Sequence, residues 1–173
     1  MYRLRGFGSI QSDISAAASK YGVPPFLAVA VATRESGLNQ GARGAAGEIG
    51  VFQLMPGTAA GLGVDPTDLG QNIDGGVRYL SQMYQQFGDW KTALEAYNAG
   101  PGNVSRGTVP SSSVSYADDI LGAVGPDLTL PALDSSSQGD YSGSGDGSVP
   151  GLSALAWTGL GLAAAAVLFA SLD

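Results

Sequence analysis

Apolar residues recur at helical spacing in several stretches of this chain. Ile10, Ile14 and Ala17/Ala18 share one face within Ser9–Tyr21, and Gly22 is a stop signal. Pro24 to Arg34 is almost wholly apolar. Pro24 suits a first helical turn and Gly37 an end, so a buried helix is predicted that carries Glu35 in its last turn. Ile73, Val77, Leu80, Tyr84 and Phe87 follow at spacings of four, three, four and three, a stripe along four turns with Asn72 as its predicted cap. Asp89 is a predicted cap for Trp90–Asn98, which Gly100-Pro101 closes. A strip from Val51 to Pro56 leads into a small helix over Pro56–Leu62, and Ser115 caps a last helix over Tyr116–Val124. Asn39–Gly50, Val64–Gln71 and Asn103–Ser115 read as loop or turn. No alternating strand pattern of useful length occurs, so residues 1–124 are expected to form one all-α domain.

Beyond this the pattern changes twice. Residues 125–151 are rich in Ser, Gly, Asp and Pro, with too little apolar surface to offset ordering entropy, and are expected to be a flexible linker. Leu152 to Leu172 carries no charge and spans about 31 Å as a helix, which fits a C-terminal transmembrane helix. The competing reading is a core helix or one that pairs with another chain. Ala156, Gly159 and Ala163 form a small-residue face suited to pairing. No Lys or Arg follows Gly107, so the positive-inside rule does not orient the span. Met1–Gly8 carries two Arg without a following apolar run and does not read as a secretory signal.

Composition narrows the chemistry. With no Cys and no His, disulfides, thiolate nucleophiles, Ser-His-Asp triads and imidazole metal sites are excluded. The net charge of −7 and the absence of a basic cluster argue against nucleic acid as a partner. The acid–base inventory is three Glu (Glu35, Glu48, Glu95) and twelve Asp, most of the latter beside Gly, Pro or Ser in turn and cap positions. Glu35 stands out. A carboxylate at a helix C-terminus meets the negative end of the dipole, and apolar neighbours desolvate it. Both effects favour the protonated form that a general acid requires.

Four motifs then appear in order: Glu35-Ser36; Gly50-Val-Phe-Gln-Leu-Met-Pro56; Asn72-Ile-x-x-Gly-x-x-Tyr-Leu80; and Ala96-Tyr-Asn-Ala-Gly-Pro-Gly102. Together, over about Ile10 to Leu121, they resemble the lytic transglycosylase domain, a lysozyme-like fold related to goose-type lysozymes. The resemblance implies that Glu35 is the acid–base residue. It implies that Gln53 and Met55 line a saccharide groove, that Tyr97 and Asn98 stand in the groove near Glu35, and that Ser36 binds substrate beside it. Three of these have a structural alternative: Met55 and Tyr97 as core, Ser36 as a partner of helix carbonyls. Gln53 in an apolar strip is harder to explain by packing, because a buried amide needs partners. Val51-Phe52 replaces the usual Leu-Met. Members often carry Glu-Thr four residues before the final helix Tyr; here Ser112 stands at that position before Tyr116, so an additional acidic residue is absent.

The resemblance implies a one-carboxylate mechanism on peptidoglycan glycan strands, with no metal or cofactor. Glu35 protonates the oxygen between N-acetylmuramic acid and N-acetylglucosamine, and the product closes a 1,6-anhydro ring. A true lysozyme would instead need a second carboxylate, for which Glu48 and Asp65 are the nearby candidates. A non-catalytic, membrane-anchored glycan-binding component is the alternative outside enzymology. With a membrane span at 152–172, the expected setting is a phage virion membrane or bacterial envelope, among virion or envelope proteins.

Overall fold

Gly22, Gly37, Gly63 and Gly88 end four helices, each in the left-handed region where a residue without Cβ is least strained. The structure is a computed structural model and describes residues 7–125. In chain order the helices are α1 (Phe7–Tyr21), α2 (Pro25–Ser36), α3 (Pro56–Leu62), α4 (Leu69–Phe87), α5 (Trp90–Ala99), α6 (Pro101–Ser105) and α7 (Ser111–Val124). Two isolated bridges, Arg43 with Ile49 and Ile49 with Leu54, are the only extended pairing among the described residues. The expected linker over 125–151, apart from Gly125, and the expected membrane span over 152–172 lie outside the described residues. No helix among the described residues is long and apolar enough to cross a membrane.

The stripe on α4 is the spine of the packing. α4 lies against α1 and α5, α2 against α1 and α7, and α7 also against α5. Ile73, Val77 and Leu80 of α4 meet Ile14 and Ala18 of α1, Leu27 and Val31 of α2, Leu94 of α5 and Ile120 of α7 in one core. Phe52 is fully buried in it. Its ring lies on the α4 backbone at Gly76, where an added Cβ would come within 2.2 Å of Phe52 Cγ. This close approach, and that of Val64 Cγ2 within 2.9 Å of a Cβ added at Gly75, explain why two adjacent glycines sit inside a long helix that they otherwise weaken.

Three helix starts differ from the sequence expectation. α4 begins at Leu69, capped by Asp68, whose carboxylate accepts the Gln71 N–H at 2.9 Å. Asn72 is therefore inside the helix, fully buried. Its Nδ2 donates to the Ile49 carbonyl (2.8 Å) and the Pro66 carbonyl (2.9 Å), and its Oδ1 accepts the Phe52 N–H (2.8 Å). An amide buried by the core side of α4 is satisfied by the 49–66 segment, which it clamps. α7 begins at Ser111 rather than Tyr116, because Pro110 presets the entry and Ser113 turns inward. The predicted 103–115 loop also contains the end of α6, whose start is set by Pro101 in the first turn.

Candidate active site

α2 ends as its sequence demands. Gly37 adopts φ 61°; its N–H donates to the Thr33 carbonyl at 2.9 Å, and the Leu38 N–H to the Ala32 carbonyl at 3.5 Å. Glu35 thus stands in the last turn, with the orphan carbonyls of the helix end nearby. The residue keeps partial exposure, yet its carboxyl is strongly desolvated. Burial pushes its pKa from the ordinary 4.5 up to about 7. The Tyr116 hydrogen bond and the Arg34 guanidinium pull it back, and the Glu48 charge pushes it further up. Tyr116 reaches from α7, and its Oη donates to Glu35 Oε1 at 2.6 Å. Tyr97 and Tyr116 are both held neutral, well above the ordinary tyrosine range, first by burial and then by the Glu35 charge. An acid poised near neutrality beside two neutral phenols can donate a proton and then take one back.

The 50–55 segment is strapped to three helices. Ser36 Oγ donates to the Val51 carbonyl at 2.8 Å, lies 3.3 Å from the Ala32 carbonyl, and accepts the Asn39 N–H at 3.1 Å. Ser36 therefore ties the end of α2 to this segment, with its hydroxyl fully engaged. Tyr97 Oη on α5 donates to the Phe52 carbonyl at 2.8 Å, and Asn72 on α4 takes the Phe52 N–H. Held this way, Gln53 adopts φ 45°, a left-handed conformation uncommon for a residue with a side chain. Its Nε2 donates to the Gly50 carbonyl at 2.8 Å. Met55 stands apart from this network as the partly buried residue preceding α3. Asn98 on α5 is partly exposed and accepts the Ser113 hydroxyl at 2.7 Å.

Of the two candidates for a second carboxylate, Glu48 is the one whose charge acts on Glu35. It is partly buried and folded onto its own turn, where Oε2 accepts the Ala46 N–H at 3.0 Å. Asp65 accepts the Thr67 N–H and hydroxyl in an exposed turn before α4. Among the described residues no group of three or more His, Cys, Asp or Glu could hold a metal. Sequence reasoning missed Tyr116 as the partner of Glu35. The available signal was a tyrosine in the buried stripe Tyr116, Ala117, Ile120, where a phenol needs a hydrogen-bond partner.

The chain is similar to several proteins. It is 36% identical over 135 residues to a transglycosylase of Enterobacteria phage PRD1, covering 72% of this chain and 50% of that protein. It is 37% identical over 97 residues to the soluble lytic murein transglycosylase of Escherichia coli K12, covering 47% of this chain and 15% of that protein. The fold matches the crystal structure of the 70-kDa soluble lytic transglycosylase of Escherichia coli, with TM-score 0.59 and 28% identity over 67% of this chain and 23% of the other. It is thus the mainly helical, lysozyme-like transglycosylase fold. The chain spans half the length of the phage relative and a smaller share of the bacterial ones. Residues 12–117, more than half of the chain, match the family described as the Transglycosylase SLT domain, and the protein belongs to that family.

Proposed function

We propose that this protein is a peptidoglycan lytic transglycosylase with Glu35 as its single acid–base group. The observation that carries the reading is a partly exposed carboxyl with a pKa of about 7, bonded to Tyr116, in a chain of the SLT family. Protonated Glu35 gives its proton to the glycosidic oxygen between N-acetylmuramic acid and N-acetylglucosamine as the C1–O bond breaks. The substrate's own N-acetyl oxygen takes up the electron-poor C1. Glu35, now a carboxylate, accepts the proton of the C6 hydroxyl while O6 bonds to C1, the bond from C1 to the N-acetyl oxygen breaks to restore the N-acetyl group, and the 1,6-anhydro ring closes. Atoms balance without water, and Glu35 returns to its acid form. In this reading Gln53, Met55, Tyr97 and Asn98 line the saccharide groove, while Ser36 fixes the 50–55 segment. The names of the relatives support the substrate class: one is a lytic murein transglycosylase, and the 70-kDa enzyme was solved with bulgecin A.

The influence of Glu48 on Glu35 favours one second reading, a lysozyme in which Glu48 activates water. Product analysis decides between them. The transglycosylase releases anhydro-muropeptides one water lighter than hydrolysis products, with no reducing end. Glu48→Gln is expected to leave activity nearly intact, and a folded but inactive Glu48→Gln protein would refute the one-carboxylate mechanism.

The setting we infer is local wall penetration by a phage, with residues 152–172 as a membrane anchor and 125–151 as its tether. Support comes from the phage PRD1 relative and from similarity to a membrane-bound lytic murein transglycosylase C of Haemophilus influenzae, 34% identical over 113 residues, covering 54% of this chain and 32% of that protein. Fractionation of purified particles tests it. The protein should be present and released by detergent; particles lacking it would overturn the virion setting.

A further inference from the structure

Asn98 is a groove residue in the reading above, and an amide side chain has two faces of opposite chemistry: a carbonyl that accepts and an NH2 that donates. Which face meets a ligand depends on what holds the other. Here Oδ1 is held. Ser113, on the first turn of α7 and 2% exposed, donates its hydroxyl to Asn98 Oδ1 at 2.7 Å. Asn98 Nδ2 makes no hydrogen bond within the described residues and is not among their buried unsatisfied atoms. The NH2 therefore meets solvent from a partly buried residue. α7 delivers two such contacts from one helix, since Tyr116, three residues on, bonds Glu35.

We propose that Ser113 is a positioning residue: by occupying the carbonyl of Asn98 it turns the amide NH2 outward, as a fixed donor for an acceptor oxygen of the bound glycan. An N-acetyl carbonyl or a ring hydroxyl has the required chemistry. This rests on the glycan-cleaving function proposed above. Without the Ser113 hydroxyl, the amide is free to rotate and presents the wrong face part of the time. Rotation adds no new clash, because Ala at 113 is smaller than Ser and suits a helix.

The test is a double-mutant cycle on the full chain, with purified peptidoglycan for turnover and chitotetraose as a binding probe. Ser113→Ala should raise KM or weaken chitotetraose binding by about five- to tenfold, the worth of one hydrogen bond, with kcat changed less. In an Asn98→Ala background, Ser113→Ala should cost no more than about twofold, because its partner is already gone. 15N relaxation should find the Asn98 side-chain amide ordered in the wild type and mobile in Ser113→Ala, with the backbone unchanged. Additive losses in the cycle, or an Asn98 amide equally ordered in both proteins, would overturn the proposal while leaving the enzyme reading intact. A folded wild-type protein that neither cuts peptidoglycan nor binds chitotetraose would instead overturn the enzyme reading and this inference with it.

Discussion

Replacing Glu35 with Gln should stabilise this protein, and more so as pH rises. In the folded chain the carboxyl holds its proton up to a pKa of about 7, against an ordinary 4.5, chiefly because ionisation there is poorly solvated. A pKa raised on folding contributes stability that is fully present below the unfolded value and is lost as pH climbs through the folded value. The displacement corresponds to about 3 kcal/mol in all, of which about 2.5 kcal/mol falls between about pH 5 and pH 9. Partial exposure of the residue trims this, so about 2 kcal/mol is the working figure. Gln has nearly the same shape, can still accept from Tyr116, and has no charge to desolvate. The assay is denaturant unfolding of wild type and Glu35→Gln across that pH range, read as the difference between the two. The variant's advantage should grow by about 2 kcal/mol from the acid to the alkaline end, as other titrations cancel. A difference that stays flat with pH would refute the claim that Glu35 is an acid held protonated by its site.

Other consequences follow from single contacts. Tyr116→Phe removes a bond that lowers the Glu35 pKa, so the alkaline limb of the pH–activity profile should move up by about one pH unit, while peak kcat/KM falls about tenfold. Asn72→Ala strands the buried Phe52 N–H and takes one bond each from the Ile49 and Pro66 carbonyls, which keep the Leu54 N–H and Gln40 Nε2 as donors, and should cost about 3–5 kcal/mol in chemical denaturation. Gly76→Ala gains helix propensity of about 1 kcal/mol but drives a Cβ into Phe52, so it should destabilise by about 1–3 kcal/mol. Gly61→Ala on α3 meets nothing within 4 Å and should be neutral or stabilising by up to about 1 kcal/mol. The two glycines should therefore differ in the sign of their thermal-midpoint shifts.

What was legible in the sequence was local. The period of Ile73 to Phe87 is an intrinsic property of one helix; Ile73, Val77 and Leu80 carry it into the core, whereas Tyr84, expected in the buried stripe, is exposed and stacks on Trp90 because α5 turns back against the end of α4. The end of α2 was equally readable, because an apolar run, Glu35 and Gly37 lie within a few residues of one another. The partners were not readable. Tyr116 meets Glu35 across 81 positions, and no local rule links them. Asn72 looked like a cap because Asn before an apolar stripe commonly is one. Its side chain instead satisfies carbonyls brought from Ile49 and Pro66, and Asp68 does the capping. Ser115 had the right chemistry for a cap, but Pro110 had already started the helix one turn earlier. Ser36 adjoins Glu35 in the sequence. Its bond to the Val51 carbonyl, which makes it a strut between two motifs, exists only once the chain has folded.

The most direct measurement of the central claim is mass spectrometry of the muropeptides released from purified peptidoglycan by the full-length protein and by its Glu35→Gln variant. The account predicts 1,6-anhydro products, one water lighter than hydrolytic ones, from the wild type, and none from a Glu35→Gln protein that remains folded. Reducing-end products from the wild type, or normal release of anhydro products by Glu35→Gln, would contradict it.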